Sequence, residues 1–505
     1  MFKSPLPILA GCLLAGAAHA GDAAAQAPQC HYVKVAEMPL RYAGPELAPA
    51  VDGSINGKPA TLVVDTGAWH SVMTMTGAVR RDMGLHWTGR RAYGFGGISR
   101  VYAARVQEIG IGDAHLTRRF DMEVIGDTAS PPDFDALVGA PFLLQTDLEL
   151  DLRAKRMALY RPRDCDKTEL YLWEENTVAV PFKRTSREEV NPHFTVVVNG
   201  KALDAVIDSG AHRSVLTLAG AERAGIDVKS PQAVRLSDVG GVGSERAPHW
   251  SVPVASVQVG NETIRNVELG VVDAQSDMET DLFLGQDFLR AHRVLFAMKQ
   301  EKLYIAYLGG DVFTRGTELE PWMRSEAEAG NRDAQYVLFR RYDSGRGAPR
   351  DRAAADDWLR KAAAAGQPNA AMLVARRDMR AGRYAEAVAR LRAALDQLPA
   401  DRYGALWLYL ARLRTGEAEL ARGELEASLK RVDNDAWPYP IAQFYLGKWD
   451  AARLFAEAGK DQDKAEAQRL ACMAVDYIDE WRAARGGDVR DDGALADART
   501  RCKLQ

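Results

Sequence analysis

Beyond its first twenty positions this 505-residue chain has no apolar run approaching the ~18 residues needed to span a bilayer, so its body offers no membrane-crossing helix. It also lacks an excess of charge. Against 65 Lys and Arg stand 69 Asp and Glu, and a net charge of −4 gives no reason to expect nucleic acid or an anionic membrane as partner. Cysteine is scarce, at five, with no CxxC pair, and the nine histidines are scattered; no metal site and no cofactor is expected. What is present is ordinary for a soluble folded protein, 47% apolar and 27% charged, at a length that exceeds one core and predicts two to four domains.

At the N-terminus, Lys3 precedes an apolar run from Leu6 to Ala18, closed by the small-x-small pattern Ala18-His19-Ala20. Residues 1–20 are therefore expected to be a signal peptide, and the protein periplasmic or secreted. The alternative is a lipobox at Leu9-Ala10-Gly11-Cys12, which would leave the protein lipid-anchored through Cys12. Export predicts oxidised cysteines, and four remain: Cys30, Cys165, Cys472 and Cys502. Three connectivities are possible; Cys30–Cys165, which bracket the first repeat, and Cys472–Cys502, which share the C-terminal region, are the pairings expected.

One pattern is written twice. Asn56-Gly57-Lys58 followed by Val63-Val64-Asp65-Thr66-Gly67-Ala68 returns as Asn199-Gly200-Lys201 followed by Val206-Ile207-Asp208-Ser209-Gly210-Ala211, at a constant offset of 143. Downstream, Gly96-Gly97 recurs as Gly240-Gly241 at 144, and Leu137-Val138-Gly139 recurs as Phe283-Leu284-Gly285 at 146, the drift that loop insertions give a duplicated domain. From about 34 to 308 the texture is short β-branched runs broken by Gly and Asn-Gly turns, which reads as all-β: one lobe over 34–161, a polar connector from Pro162 to about Asn176, and a second lobe over 176–308. Each Asn-Gly pair predicts a hairpin whose second strand runs into the Asp-[Thr/Ser]-Gly loop.

From about 320 to 505 helical i, i+3, i+4 spacing replaces alternation, and Ala329-Gly330-Asn331 recurs as Ala365-Gly366-Gln367 at an offset of 36. With Gly345-Arg346-Gly347-Ala348-Pro349 and Trp358 between them, this stretch resembles the Sel subfamily of tetratricopeptide-like repeats, and Gly382 to Pro399 is similar to an ordinary tetratricopeptide repeat. The resemblance implies an all-α solenoid, with a surface for substrate or a protein partner.

A lone Asp-Ser-Gly is weak, since such residues meet by chance in turns and caps. Here both copies read apolar-apolar-Asp-[Thr/Ser]-Gly-Ala-x-x-Ser-Val-[Met/Leu]-Thr. Two apolar residues bring the Asp out of a buried strand, Gly67 and Gly210 let the backbone turn behind it, and Thr66 and Ser209 can hydrogen-bond across a pseudo-two-fold axis. On these residues the chain resembles two fused copies of the retropepsin-like aspartic protease family. The resemblance implies a double-lobed acid-protease fold working as a monomer, a catalytic pair Asp65 and Asp208, and support from Leu137-Val138-Gly139 and Leu284-Gly285. It also implies substrate-binding flaps at Tyr93-Gly94-Phe95-Gly96-Gly97 and, less fully, at Gly240-Gly241. Where the family often has Ser or Asp, this chain has Trp69 and His212. A packing role at a domain face is expected of Trp69, with a substrate-subsite wall as the alternative; His212 is expected to be solvent-facing or hydrogen-bonded, the alternative being that it tunes the pair's pH range.

Hydrolysis of a peptide carbonyl without metal or nucleophile needs one group to take a proton from water and another to protonate the carbonyl oxygen. Two facing carboxyls supply both, because close together they share one proton. The expected function is an aspartic endopeptidase acting on peptide or protein; the alternative is a non-catalytic scaffold that binds peptides through an inert cleft and the solenoid.

Overall fold

The computed structural model describes residues 30–502, apart from 95–96, 113, 127–131, 167, 171–176, 185–189, 241–245, 274–279, 314–318, 432–434, 462–463 and 487–492. The expected signal peptide and the flap residues Phe95, Gly96 and Gly241 lie outside the described residues.

Each Asn-Gly pair builds a hairpin. Asn56 and Gly57 take φ of 52° and 72°, Asn199 and Gly200 take 49° and 77°, the two positive values a type I′ turn requires. Strand Ala48–Ile55 thereby folds onto Lys58–Asp65, and Phe194–Val198 onto Lys201–Ile207. The Asn side chains do a second job: Asn56 Oδ1 accepts from the Gln107 N–H at 2.7 Å and Asn199 Oδ1 from the Ala255 N–H at 2.9 Å, tying each turn to a neighbouring strand.

The returning strand of each hairpin then lies parallel to a short strand that arrives much later in the chain, Ala136–Gly139 in the first lobe and Leu282–Leu284 in the second. Val72–Thr74 and Val215–Thr217 run antiparallel to those late strands. Each Asp-[Thr/Ser]-Gly loop is thus clasped inside one sheet, of eight strands in the first lobe and seven in the second.

A third sheet joins the lobes. Its order is His31–Pro39, Arg156–Arg163, Asp147–Asp151, His292–Ala297, Lys302–Tyr307, Val178–Pro181. The central pairing, Leu148 to Phe296 and Leu150 to Val294, crosses from one lobe to the other, so the lobes pair within the chain. One apolar core runs through both, including Val64, Leu148, Leu150, Ile207, Val294 and Phe296. The connector differs from its polar expectation: strand Arg156–Arg163 extends into it, and Cys165 is buried in a disulfide with Cys30 beside Tyr160 and Leu170.

From Pro321 onward the described residues form helices that pack on their neighbours: Arg332–Ser344 on Arg352–Ala364, Pro368–Arg380 on Tyr384–Gln397, and Arg402–Arg414 on Ala418–Lys430. The 36-residue echo has a local cause. Gly330 and Gly366 sit at φ of 95° and 81°, ending one helix in the left-handed conformation, and the next residue caps the following helix: Asn331 accepts from Asp333 and Ala334 N–H, Gln367 from Ala370 N–H. A second disulfide, Cys472–Cys502, closes the last two described helices on each other. No described helix is long and apolar enough to cross a membrane.

Candidate active site

Val63 and Val64 bury the end of strand Lys58–Asp65, and Val206 and Ile207 that of Lys201–Ile207, so each Asp emerges where its strand leaves the core. There each carboxylate organises its own turn. Asp65 Oδ1 accepts from Gly67 N–H at 3.0 Å and Ala68 N–H at 2.9 Å; Asp208 Oδ1 accepts from Gly210 N–H at 2.9 Å and Ala211 N–H at 3.1 Å.

The two turns lock together across the lobes. Thr66 N–H donates to Ser209 Oγ at 3.0 Å while Ser209 N–H donates to Thr66 Oγ1 at 3.1 Å. Each hydroxyl then donates onward to the opposite strand, Thr66 Oγ1 to the Ile207 carbonyl and Ser209 Oγ to the Val64 carbonyl, both at 2.7 Å. Thr66 and Ser209 are fully buried, so these four bonds are shielded from water.

The glycines are there for space. A Cβ on Gly67 would lie 2.3 Å from Asp208 Cγ, and one on Gly210 would lie 2.4 Å from Asp65 Oδ2. Each turn's bare Cα is therefore the surface against which the other lobe's carboxyl rests. Behind them, Gly139 N–H donates to Ser71 Oγ and Gly285 N–H to Ser214 Oγ, at 3.0 and 2.9 Å. Ala140 N–H and Gln286 N–H close on the Ala68 and Ala211 carbonyls, both at 2.9 Å.

Each carboxyl rests against the other lobe's turn, and Asp208 acts electrostatically on Asp65. Burial pushes both up from the ordinary carboxylate range. For Asp65 the charge of Asp208 pushes further, against the pull of the Ala68 and Gly67 N–H donors. Two carboxyls so placed hold one proton between them at a pH where isolated ones would both be ionised.

The surroundings are not symmetric. In the first lobe strand Leu85–Gly94 pairs with Gly97–Ile111 out to Tyr93–Ile98 and Gly94–Gly97. The second lobe has only Val234–Arg235 and an isolated bridge from Val239 to Ala247, with Gly240 beside it and no described flap hairpin. Trp69 is 46% exposed, so the packing role expected of it is not what the structure gives. His212 does not face solvent: its Nδ1–H donates to the Glu46 carbonyl at 3.0 Å, its Nε2 is buried, and burial pushes its pKa down to about 3. It is neutral at ordinary pH and has no charge with which to tune the pair.

Asn191 was not singled out by sequence. It is 1% exposed, and its Nδ2 donates to the Thr66 and Gly67 carbonyls at 2.9 and 3.1 Å, holding the first lobe's loop from the second. The duplication offset sets Ala48 against it, so the difference between the copies was the available signal. Among the described residues no group of three or more His, Cys, Asp or Glu is placed to hold a metal ion.

Residues 51–145 and 194–291 each match a sequence model of the family described as "gag-polyprotein putative aspartyl protease", together less than half of the chain. No curated protein matches. Among solved structures, the crystal structure of the aspartic proteinase from Irpex lacteus is similar at 12% identity and a TM-score of 0.35, covering 54% of this chain and 97% of that one.

Proposed function

We propose that the two β lobes form an aspartic endopeptidase whose catalytic pair is Asp65 and Asp208. The observation that carries this reading is the close approach of the two loops, each carboxyl set against the other's turn glycine, held by two backbone N–H groups and locked across the lobes by Thr66 and Ser209. The double match to an aspartyl protease family supports it. One member of the pair, ionised, takes a proton from a water as that water's oxygen attacks the peptide carbonyl carbon. The other, protonated, gives its proton to the carbonyl oxygen. Collapse of the resulting diol transfers a proton to the amine and breaks the C–N bond. The roles belong to the pair, because the shared proton has no fixed owner.

The helical region is proposed to be a tetratricopeptide- or Sel-type solenoid that docks the substrate or a partner; the stop-and-cap pattern recurring at 36 residues supports this. Two disulfides support an oxidising compartment, periplasmic or extracellular. The test is digestion of a denatured protein from acid to neutral pH by the wild type, Asp65→Asn and Asp208→Asn. Cleavage by the wild type that vanishes in both variants is expected; cleavage surviving both removes the pair from the mechanism.

A further inference from the structure

The peptidase reading leaves open what the helical region does for the site, and the contacts behind the Asp208 loop bear on it. Helix Pro321–Glu328 has Glu320 at its N-cap position, yet the Glu320 carboxylate caps no N–H of that helix. It is buried and turned to the second lobe instead: Oε1 accepts from Arg213 Nη2 at 3.0 Å, and Oε2 from the Trp322 indole N–H at 2.5 Å. Arg213 continues the loop that carries Asp208, and Gly285 lies tight beneath it. A Cβ on Gly285 would be 2.6 Å from the Arg213 carbonyl oxygen and 2.7 Å from that of Ala211.

Trp322 reaches the same loop by a second route. Its ring centre is 6.3 Å from that of His212, and the Arg290 guanidinium stacks on it at 3.4 Å while lying 5.0 Å from the Tyr42 ring. Arg290 belongs to the short helix Gln286–Ala291, and its Nη2 donates to Gln286 Oε1 at 2.7 Å. Gln286 is fully buried, and its own N–H is the one that closes on the Ala211 carbonyl at 2.9 Å. An unbroken run of contacts therefore leads from Trp322 through Arg290 and Gln286 to the turn of Asp208. A shorter one leads from Glu320 to Arg213. A guanidinium laid flat on an indole away from water is a strong cation–π contact, and its planar stacking fixes orientation as a point charge would not. At the matching positions the first lobe has Ala140, Leu144 and His70, and its Trp69 is 46% exposed, so the stacked cation has no counterpart there.

We propose that Trp322 and Arg290, with Glu320, are positioning residues for the second catalytic carboxyl: the helical region holds the Asp208 loop in place through a stacked Trp322–Arg290 pair that fixes Gln286 against Ala211. The proposal rests on the peptidase reading for what the loop does, but its test separates the two. Hydrogen exchange is followed at the Gln286 N–H and at its first-lobe equivalent, the Ala140 N–H, which makes the same bond to Ala68. On the same full-length proteins kcat and KM are measured with a cleavable peptide. The variants are Trp322→Ala, Trp322→Phe and Arg290→Met, which breaks the stack from the other side. Leu406→Ala, which opens a cavity in the core of the later helices, is the control for plain loss of helical stability.

In Trp322→Ala and Arg290→Met the Gln286 N–H is expected to exchange about tenfold faster, the size of one buried cation–π contact, with Ala140 unchanged. With it kcat falls about tenfold while KM stays within about twofold, because a displaced carboxyl impairs the reaction more than the binding of peptide. Trp322→Phe keeps a ring face and recovers most of both. Leu406→Ala lowers the urea midpoint but leaves kcat and the ratio of the two exchange rates at the wild-type values. Exchange that rises equally at Gln286 and Ala140, or at neither, in Trp322→Ala and Arg290→Met overturns the positioning role; if Trp322→Ala does not fold, Arg290→Met decides alone. Selective loosening at Gln286 in a protein whose wild type cleaves nothing keeps the positioning role and overturns the peptidase reading. Cleavage by the wild type with kcat unchanged in both variants does the reverse.

Discussion

Replacing Gly67 by Ala is the sharpest probe of how closely the lobes meet. The new methyl would sit 2.3 Å from Asp208 Cγ and 2.6 and 2.7 Å from its two oxygens, where ordinary contact is about 3.5–4.0 Å, so the groups must separate by about 1 Å or more. Asp208 cannot swing away freely, because its Oδ1 accepts from Gly210 and Ala211 N–H. Nor can Gly67 retreat, because Asn191 holds its carbonyl and the Thr66–Ser209 lock lies one residue away. Forcing a methyl into such a site costs about 1–3 kcal/mol, and weakening the bonds to a charged acceptor about as much again. A misplacement of about 1 Å in a catalytic group lowers kcat roughly a hundredfold. The assay pairs kcat on a cleavable peptide with urea unfolding, and Gly84→Ala is the control, since nothing lies within 4 Å of its added Cβ. Gly210→Ala, 2.4 Å from Asp65 Oδ2, is expected to behave as Gly67→Ala does. A Gly67→Ala protein with kcat within about twofold of the control refutes the close approach of the two turns.

The raised pKa values of Asp65 and Asp208 mean that the folded chain holds the shared proton to a higher pH than the unfolded chain does; stability contributed by the pair is greatest at acid pH and falls as pH rises from the ordinary carboxyl range through the raised one. Urea midpoints measured across that window should show the slope in the wild type and a flatter line in Asp65→Asn. Activity should decline on the alkaline side above the ordinary carboxyl range, and His212→Gln should leave that decline in place, because a histidine with its pKa at about 3 is already neutral there. The Cys30–Cys165 bridge spans 135 residues and Cys472–Cys502 spans 30, so loop-closure entropy predicts losses of about 5 and about 3.6 kcal/mol on replacing each pair by Ser, read as lower Tm with the larger drop for the first. Asn191→Ala strips the Thr66 and Gly67 carbonyls of a buried donor, which is expected to cost about 1–3 kcal/mol and to lower kcat; Ala48→Gly, at the matching position of the other lobe, should leave kcat unchanged.

What could be read from sequence was what the chain states locally or states twice. The Asn-Gly turns, the strands they join and the order Asp-[Thr/Ser]-Gly then apolar-Gly follow from φ requirements and alternation, and the duplication allowed each copy to check the other. What escaped were contacts between residues far apart in the chain with no repeated partner. Asn191 reaches carbonyls 124 and 125 positions away, and no local pattern marks it. For His212 sequence left solvent-facing and hydrogen-bonded open; it is hydrogen-bonded, to a carbonyl at Glu46 166 residues distant that no local pattern could name. The two disulfides, Cys30–Cys165 and Cys472–Cys502, are the pairings expected from sequence.

The same distinction bears on the helical region, which sequence alone presents as a separate appendage. Gly44 N–H donates to Asp333 at 3.1 Å, Asn331 Nδ2 donates to the Tyr42 carbonyl at 3.0 Å, and Arg332 pairs with Asp133 at 3.3 Å. Tyr42 and Leu47 belong to the core of the first helices and are buried with Met323, Leu338 and Trp358. The segment from Tyr42 to Leu47 is therefore held on the helical side, and Glu46 within it is what His212 bonds, four residues past Asp208. On the opposite flank Asp133 and Asp135 lead into the strand Ala136–Gly139 that lies against Asp65, and burial together with the charge of Asp333 raises Asp133 to about 7. The helices thus hold segments that touch both Asp-[Thr/Ser]-Gly loops, and they do so through buried and half-buried polar contacts that lose their partners if the two parts separate. A domain attached only by a tether could be exchanged without consequence for the site; one wired into Glu46, Arg213 and Asp133 sets the position of the walls beside it.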